Sequence, residues 1–167
     1  MEKTNVMRIL DQKKVTYIPH SIGDNTKLSG KEVAEALKKS PDSVFKTLVT
    51  TAKSGNKYVF VVPINRELDL KKAAKAVGEK SVEMLKQKEL LPLTGYIHGG
   101  CSPIGMKKFF TTTVDLSAED KETICFSAGK IGYQVELSPK DLGKVIRFKF
   151  ANITVERINQ LAEQSNI

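Results

Sequence analysis

The chain has 167 residues, 40% of them hydrophobic and 28% charged, which suits one compact domain with its own core and excludes an intrinsically disordered chain. Lys and Arg number 27 against 19 Asp and Glu, so the formal net charge is +8 and polyanions are favoured partners; the basic residues are dispersed, so an ordinary basic surface stays equally open. Two cysteines, Cys101 and Cys125, lack C-x-x-C spacing and exclude both a disulfide scaffold and a cysteine-type zinc motif. The first ten residues mix Glu2, Lys3, Asn5 and Arg8 with apolar residues, so no secretory leader is expected. The longest apolar run, Tyr58 to Val62, is too short to span a bilayer. A cytoplasmic protein that stays off membranes is the expectation.

Taken in order, Thr4 can cap a first helix carrying Val6, Ile9 and Leu10 at helical spacing. Val15 to Ile18 reads as a short strand, and a polar loop covers 23–28. Ser29 and Glu32 form a capping box ahead of a helix with Val33, Ala36 and Leu37, ended by Pro41 and Asp42. Val44 to Thr50 and Tyr58 to Val62 flank Ser54-Gly55-Asn56 and predict a hairpin. Asp69 caps a helix through Val77 that Gly78 stops, and Ser81 starts another short helix. Tyr96 to His98, Thr111 to Leu116, Ile124 to Ser127 and Tyr133 to Leu137 are predicted strands. Ser138-Pro139 starts a helix, and a terminal helix is expected over 155–162. Adjacent short strands favour antiparallel pairing, so the predicted fold is a single-domain α+β fold with a mixed, mainly antiparallel sheet.

Three segments could carry chemistry. Lys46 shares a strand face with Val44 and Leu48, and a lysine in an apolar stripe is costly unless it meets an anion or water. It therefore points into a pocket that holds a phosphate or carboxylate, or else it guards an edge strand against aggregation. In Gly95 to Gly105, the glycines at 99 and 100 let backbone N–H groups approach a ligand or a developing oxyanion; a plain tight loop is the other reading. Ser127-Ala128-Gly129-Lys130 joins two strands, either as a polar lip or as a hairpin turn. His20 and His98 have no acidic partner at metal-ligand spacing, so no metal is expected. No Gly-x-Ser-x-Gly elbow exists, and Cys101 near His98 reads as a loop filler more than a nucleophile. Any enzyme here would work by positioning and backbone electrostatics.

These segments, in this order and together with Leu68 to Gly78 and Val135-Glu136-Leu137, resemble the YbaK-like Cys-tRNA(Pro) deacylases, from about Val6 to Ile153. The resemblance implies a barrel-like sheet flanked by helices and the removal of a mischarged amino acid from the terminal adenosine of tRNA. It implies no cofactor, prolyl-tRNA synthetase as a protein partner, and a monomer or weak dimer. It makes Lys46 the essential lysine and assigns the carbonyl oxygen to the backbone of Gly99, Gly100 and Cys101. Thr47 and Ser127 would line the pocket, with His20, Ser102, Gly129 and Lys130 as further substrate contacts. In cysteine-specific members the substrate thiol attacks the ester and releases a thiolactone, which fits the missing protein nucleophile. Such members often carry a tyrosine about where Ile22 stands and an aspartate where Gln134 aligns. Those departures leave two alternatives: a deacylase for another small amino acid, or a non-catalytic tRNA- or synthetase-binding regulator.

Overall fold

A computed structural model describes residues 1–23 and 28–156. Helix α1 (Asn5–Gln12) starts where Thr4 accepts the Met7 N–H, and it buries Val6, Met7 and Leu10. Each such side chain contributes about 1.5–3 kcal/mol of transfer free energy. Strand β1 (Ile18–Ser21) begins at the residue where the predicted strand was to end. Its position is set by pairing with a later strand, and Pro19 is tolerated because β1 is an edge. Helix α2 (Gly30–Leu37) carries the full capping box: Ser29 Oγ accepts the Glu32 N–H at 3.2 Å and Glu32 accepts the Ser29 N–H at 3.1 Å. Pro41–Ser43 forms one 3-10 turn before strand β2 (Phe45–Ala52) and its hairpin partner β3 (Lys57–Pro63).

Helix α3 (Leu70–Val77) is capped by Asp69, whose carboxylate accepts the Lys71 and Lys72 N–H groups at 3.0 Å, and closed by Gly78. The helix expected from Ser81 is instead a strand, β4 (Val82–Met84), recruited by pairing with Thr50–Ala52. A helix that the sequence reading missed, α4 (Gln87–Thr94), follows and contains Pro92. The strand expected at Tyr96–His98 is a loop. Strands β5 (Thr111–Asp115), β6 (Ile124–Ser127) and β7 (Tyr133–Leu137) lie as expected, and α5 (Pro139–Leu142) follows Ser138. A further strand, β8 (Phe148–Ala151), was not predicted. The loop expected over 23–28 is largely outside the described residues, and so is the helix over 155–162 beyond Val155 and Glu156, which are not helical.

The strands form two sheets, β1-β7-β6 and β4-β2-β3-β5-β8. Four of the six pairings are antiparallel; β3–β5 and β5–β8 are parallel. The mixed α+β expectation holds, but the barrel-like sheet is open. The sheets touch through a parallel bridge between Val44 and Cys125. Between them lies the main core, where Phe45, Val49, Val59, Val61, Phe126, Val135 and Leu137 meet α1. Alternation along β6 and β7 then places Cys125, Ser127, Gln134 and Glu136 on the opposite face, against which α2 packs through Ala34 and Leu37.

Candidate functional site

Alternation also governs β2. Phe45 and Val49 enter the main core, while Leu48 turns to the second cluster around Phe60 and Val62. Lys46 follows Leu48, away from the main core. Strand β4 reaches only Thr50–Ala52, so the Lys46 end of β2 has no strand on that side. Lys46 is half-buried and makes no hydrogen bond or ion pair among the described residues. Burial pushes its pKa below the ordinary lysine value, and the Glu67 carboxylate opposes that shift in part.

Lys46 borders a cavity of about 280 Å³ whose wall includes Thr47, Gly99, Cys101, Ser127 and Gln134. Helix α2 supplies Gly30 and Val33 to the same wall, and the loop supplies His98. Two polar atoms here are buried without a partner among the described residues: Thr47 Oγ1 and Gln134 Oε1. Orphaned buried acceptors cost about 1–3 kcal/mol each, so their occurrence together points to a ligand that satisfies them. Among the described residues the wall contains no carboxylate, and so offers no acidic general base.

The glycine loop is shaped by a turn. Gly100 N–H donates to the Ile97 carbonyl at 2.9 Å, and Gly99 takes φ +88°, a value suited to glycine at the third position of such a turn. Gly100 N–H is thereby used inside the loop and is not a free donor, which corrects its expected role. The N–H groups of Gly99 and Cys101 have no partner among the described residues. Cys101 is buried, and that burial pushes its thiol up to about 12, so it stays protonated at neutral pH. Tyr96 fixes this loop to the β6–β7 turn. Its hydroxyl donates to the Ile104 carbonyl, and its ring lies so close to Gly129 that a Cβ there would come within 2.9 Å.

Of the other sequence candidates, Ser127 lines the cavity and accepts the Gly129 N–H at 3.1 Å. Ser102 is fully buried, and its hydroxyl accepts the Ile104 N–H within the loop. Gly129 packs under Tyr96, and Lys130 reaches Glu2 at 3.0 Å and lies over the Tyr133 ring. Neither residue is on the cavity wall. His20 is also elsewhere: its Nε2 lies 2.9 Å from Glu136 Oε1. The other Glu136 oxygen takes Lys39 at 3.0 Å and Thr123 at 2.6 Å. Burial raises the Glu136 pKa, but hydrogen bonds from Thr123, His20 and Lys39 outweigh it and hold the carboxyl at about 2. His98, weighed in the sequence only beside Cys101, and Gln134, noted there only as a departure from the cysteine-specific pattern, both line the cavity. The position of His98 inside the glycine loop was the available signal for it.

The cavity adjoins two further recesses. One, of about 610 Å³, includes Ile22, Gln87, His98, Ile131 and Gln134. The other, of about 550 Å³, runs from Lys46 past Asn65, Arg66 and Glu67. Ile22 and Gln134, the two departures from the cysteine-specific pattern, thus line one recess.

Residues 25–145 match the family model described as an aminoacyl-tRNA editing domain. The chain is 47% identical over 156 residues to an Enterococcus faecalis protein named "Putative Cys-tRNA(Pro)/Cys-tRNA(Cys) deacylase EbsC", covering 93% of this chain and 95% of that one. In fold it is similar to a solved structure titled as a putative trans-editing enzyme for prolyl tRNA synthetase, with TM-score 0.79, 22% identity, and coverage of 93% of this chain and 100% of that one. The structure of hypothetical protein APE2540 matches with TM-score 0.83 at 22% identity, over 91% of this chain and 100% of that one. With a family model spanning most of its length and a relative this similar end to end, the chain belongs to the aminoacyl-tRNA editing domain family.

Proposed function

We propose that the chain is a trans-editing deacylase that cleaves a mischarged amino acid from tRNA, with cysteine on tRNA(Pro) as its substrate. One observation carries the reading. Among the described residues, a half-buried lysine without a bonded partner, a loop with two unused N–H donors and two orphaned acceptors share one small cavity. In this reading the Lys46 ammonium holds the ester-bearing end of the terminal nucleotide. The Gly99 and Cys101 N–H groups receive the negative charge that develops on the carbonyl oxygen. Thr47, Ser127 and Gln134 orient the amino acid. The substrate's own thiol attacks the ester carbonyl: a C–S bond forms, the bond from carbonyl carbon to ribose oxygen breaks, and the thiol proton ends on that ribose oxygen. A thiolactone and uncharged tRNA leave. The lack of a carboxylate on the wall among the described residues and the protonated Cys101 thiol both suit a reaction in which the protein provides no nucleophile. The net charge of +8 helps capture the polyanion without reading its bases. Prolyl-tRNA synthetase is the proposed source of the mischarged substrate.

A second reading rests on Ile22 and Gln134 lining the recess next to the cavity. An apolar residue and an amide there suit another small amino acid, whose ester water would hydrolyse. Cys-, Ala- and Ser-charged tRNA, each incubated with the protein, separate the readings. Cysteine release with a thiolactone product supports the first; faster release of alanine or serine replaces it with the second. Salt-sensitive tRNA binding without deacylation of any of the three would leave only the regulatory role.

A further inference from the structure

We propose that His20, Cys125 and Glu136 form a binding site for a borderline-soft divalent cation, zinc by donor chemistry, on the α2-covered face of the β1-β7-β6 sheet. The three side chains supply one imidazole nitrogen, one sulfur and one carboxylate oxygen, all within 4.8 Å of one another. Zinc holds such ligands at about 2.0–2.3 Å, which sets them about 3.3–3.8 Å apart, so the widest pair must close by up to about an ångström and the His20–Glu136 pair, at 2.9 Å, must open slightly. A mixed N, S, O set favours zinc over calcium or magnesium, which take oxygen.

Register places the ligands. Glu136 stands directly opposite Cys125 in the β6–β7 ladder, and His20 lies in β1 diagonally across from Glu136. The carboxylate is already oriented by other groups. Thr123 and Lys39 hold Oε2, which leaves Oε1 turned toward His20 at 2.9 Å. Ligating carboxylates in metal sites are commonly fixed in this way by a second set of hydrogen bonds. Cys125 is fully buried, whereas His20 is about a quarter exposed and opens the cluster to solvent on one side. That side provides the entry path and the fourth, non-protein position. On binding, the thiol releases its proton to solvent and the imidazole binds neutral. Thiolate and carboxylate then balance the ion's two charges. Sequence spacing conceals such a site because its ligands come from three strands, 116 residues apart at the widest. The next pair along the same face is Ser127–Gln134, so a bound ion would brace the strands that form the cavity wall.

The site does not depend on the editing function, and its test is spectroscopic. Chelator-treated full-length protein is titrated with Co2+. The expected result is a near-ultraviolet thiolate-to-cobalt band with visible bands of tetrahedral cobalt, saturating at one ion per chain and displaced by Zn2+. Zn2+ should also raise Tm. Cys125→Ser should lose the thiolate band, and Cys101→Ser should keep it. His20→Ala should weaken cobalt binding by at least about tenfold. Absence of the thiolate band in the folded wild-type protein overturns the proposal, as does its persistence in Cys125→Ser. Should Cys125→Ser not fold, His20→Ala decides: unchanged cobalt affinity in that variant is equally fatal.

Discussion

Two ends of one sheet face treat their polar groups in opposite ways. At the Glu136 end, a buried carboxylate is paired with His20, Lys39 and Thr123. At the Gln134 end, two residues away, a buried amide oxygen has no partner among the described residues, and neither has Thr47 across the cavity. Lys46 adds a half-buried cation with no bonded partner of its own. The first end is satisfied by the protein itself and gains stability from that. The second costs stability in the free protein, as expected where a ligand is to complete the bonding.

The largest effect should come from the unsatisfied end. Lys46→Met should lower the rate of deacylation about 10²-fold or more, as removal of a preorganised charge-stabilising group does elsewhere. Its Tm should be unchanged or slightly higher, because the substitution removes a poorly solvated cation. A large loss of Tm with activity intact would reverse the contrast between the two ends. At the satisfied end, Glu136→Gln should cost about 1–3 kcal/mol, since it leaves His20 and Lys39 facing a neutral amide. The cost sits below that of a fully closed ion pair because both partners are partly exposed. The pH dependence has a definite sign. The folded-state value of about 2 lies below the ordinary value of 4.5, so the contribution is complete above the ordinary carboxylate range. It fades as pH falls through that range toward 2. Urea unfolding of wild type and Glu136→Gln in chelator should therefore show a wide gap at pH 7 and a narrow one near pH 3. A gap independent of pH would show that the carboxylate's charge contributes nothing.

The same contrast explains what was legible in the sequence. Local chemistry carried far: the caps at Thr4, Ser29 and Asp69, the β2–β3 hairpin and the three strands from Thr111 to Leu137 all follow from short patterns. Failures occurred where a distant partner decides. Val82–Met84 is a strand only because Thr50–Ala52 offers an edge, and β1 slides to Ile18–Ser21 to match Tyr133–Glu136. Pro92 hid α4, whereas β8 was missed although Phe148 and Phe150 alternate as strand residues do. In the cavity, Lys46 stood out because it interrupts an apolar stripe, and Gly99 because adjacent glycines let a backbone approach a ligand closely. His20 was assigned to the substrate, since no sequence rule joins it to Glu136.

Helix α2 borders both ends, and its capping box supplies the smallest test. Gly30 and Val33 face the cavity, while Ala34 and Leu37 cover the Cys125 side. A helix of eight residues has little stability of its own, so its first turn depends on Ser29 accepting the Glu32 N–H and on Glu32 accepting the Ser29 N–H. Ser29→Ala should cost about 1 kcal/mol and lower Tm by about 2–4 °C, and Ser29→Asp should recover most of both. Because the cavity wall includes the residue next to the cap, KM for charged tRNA should rise in Ser29→Ala while kcat changes little. A loss of Tm without any change in KM would mean that packing against Ile64 and Cys125, not the cap, holds this wall in place.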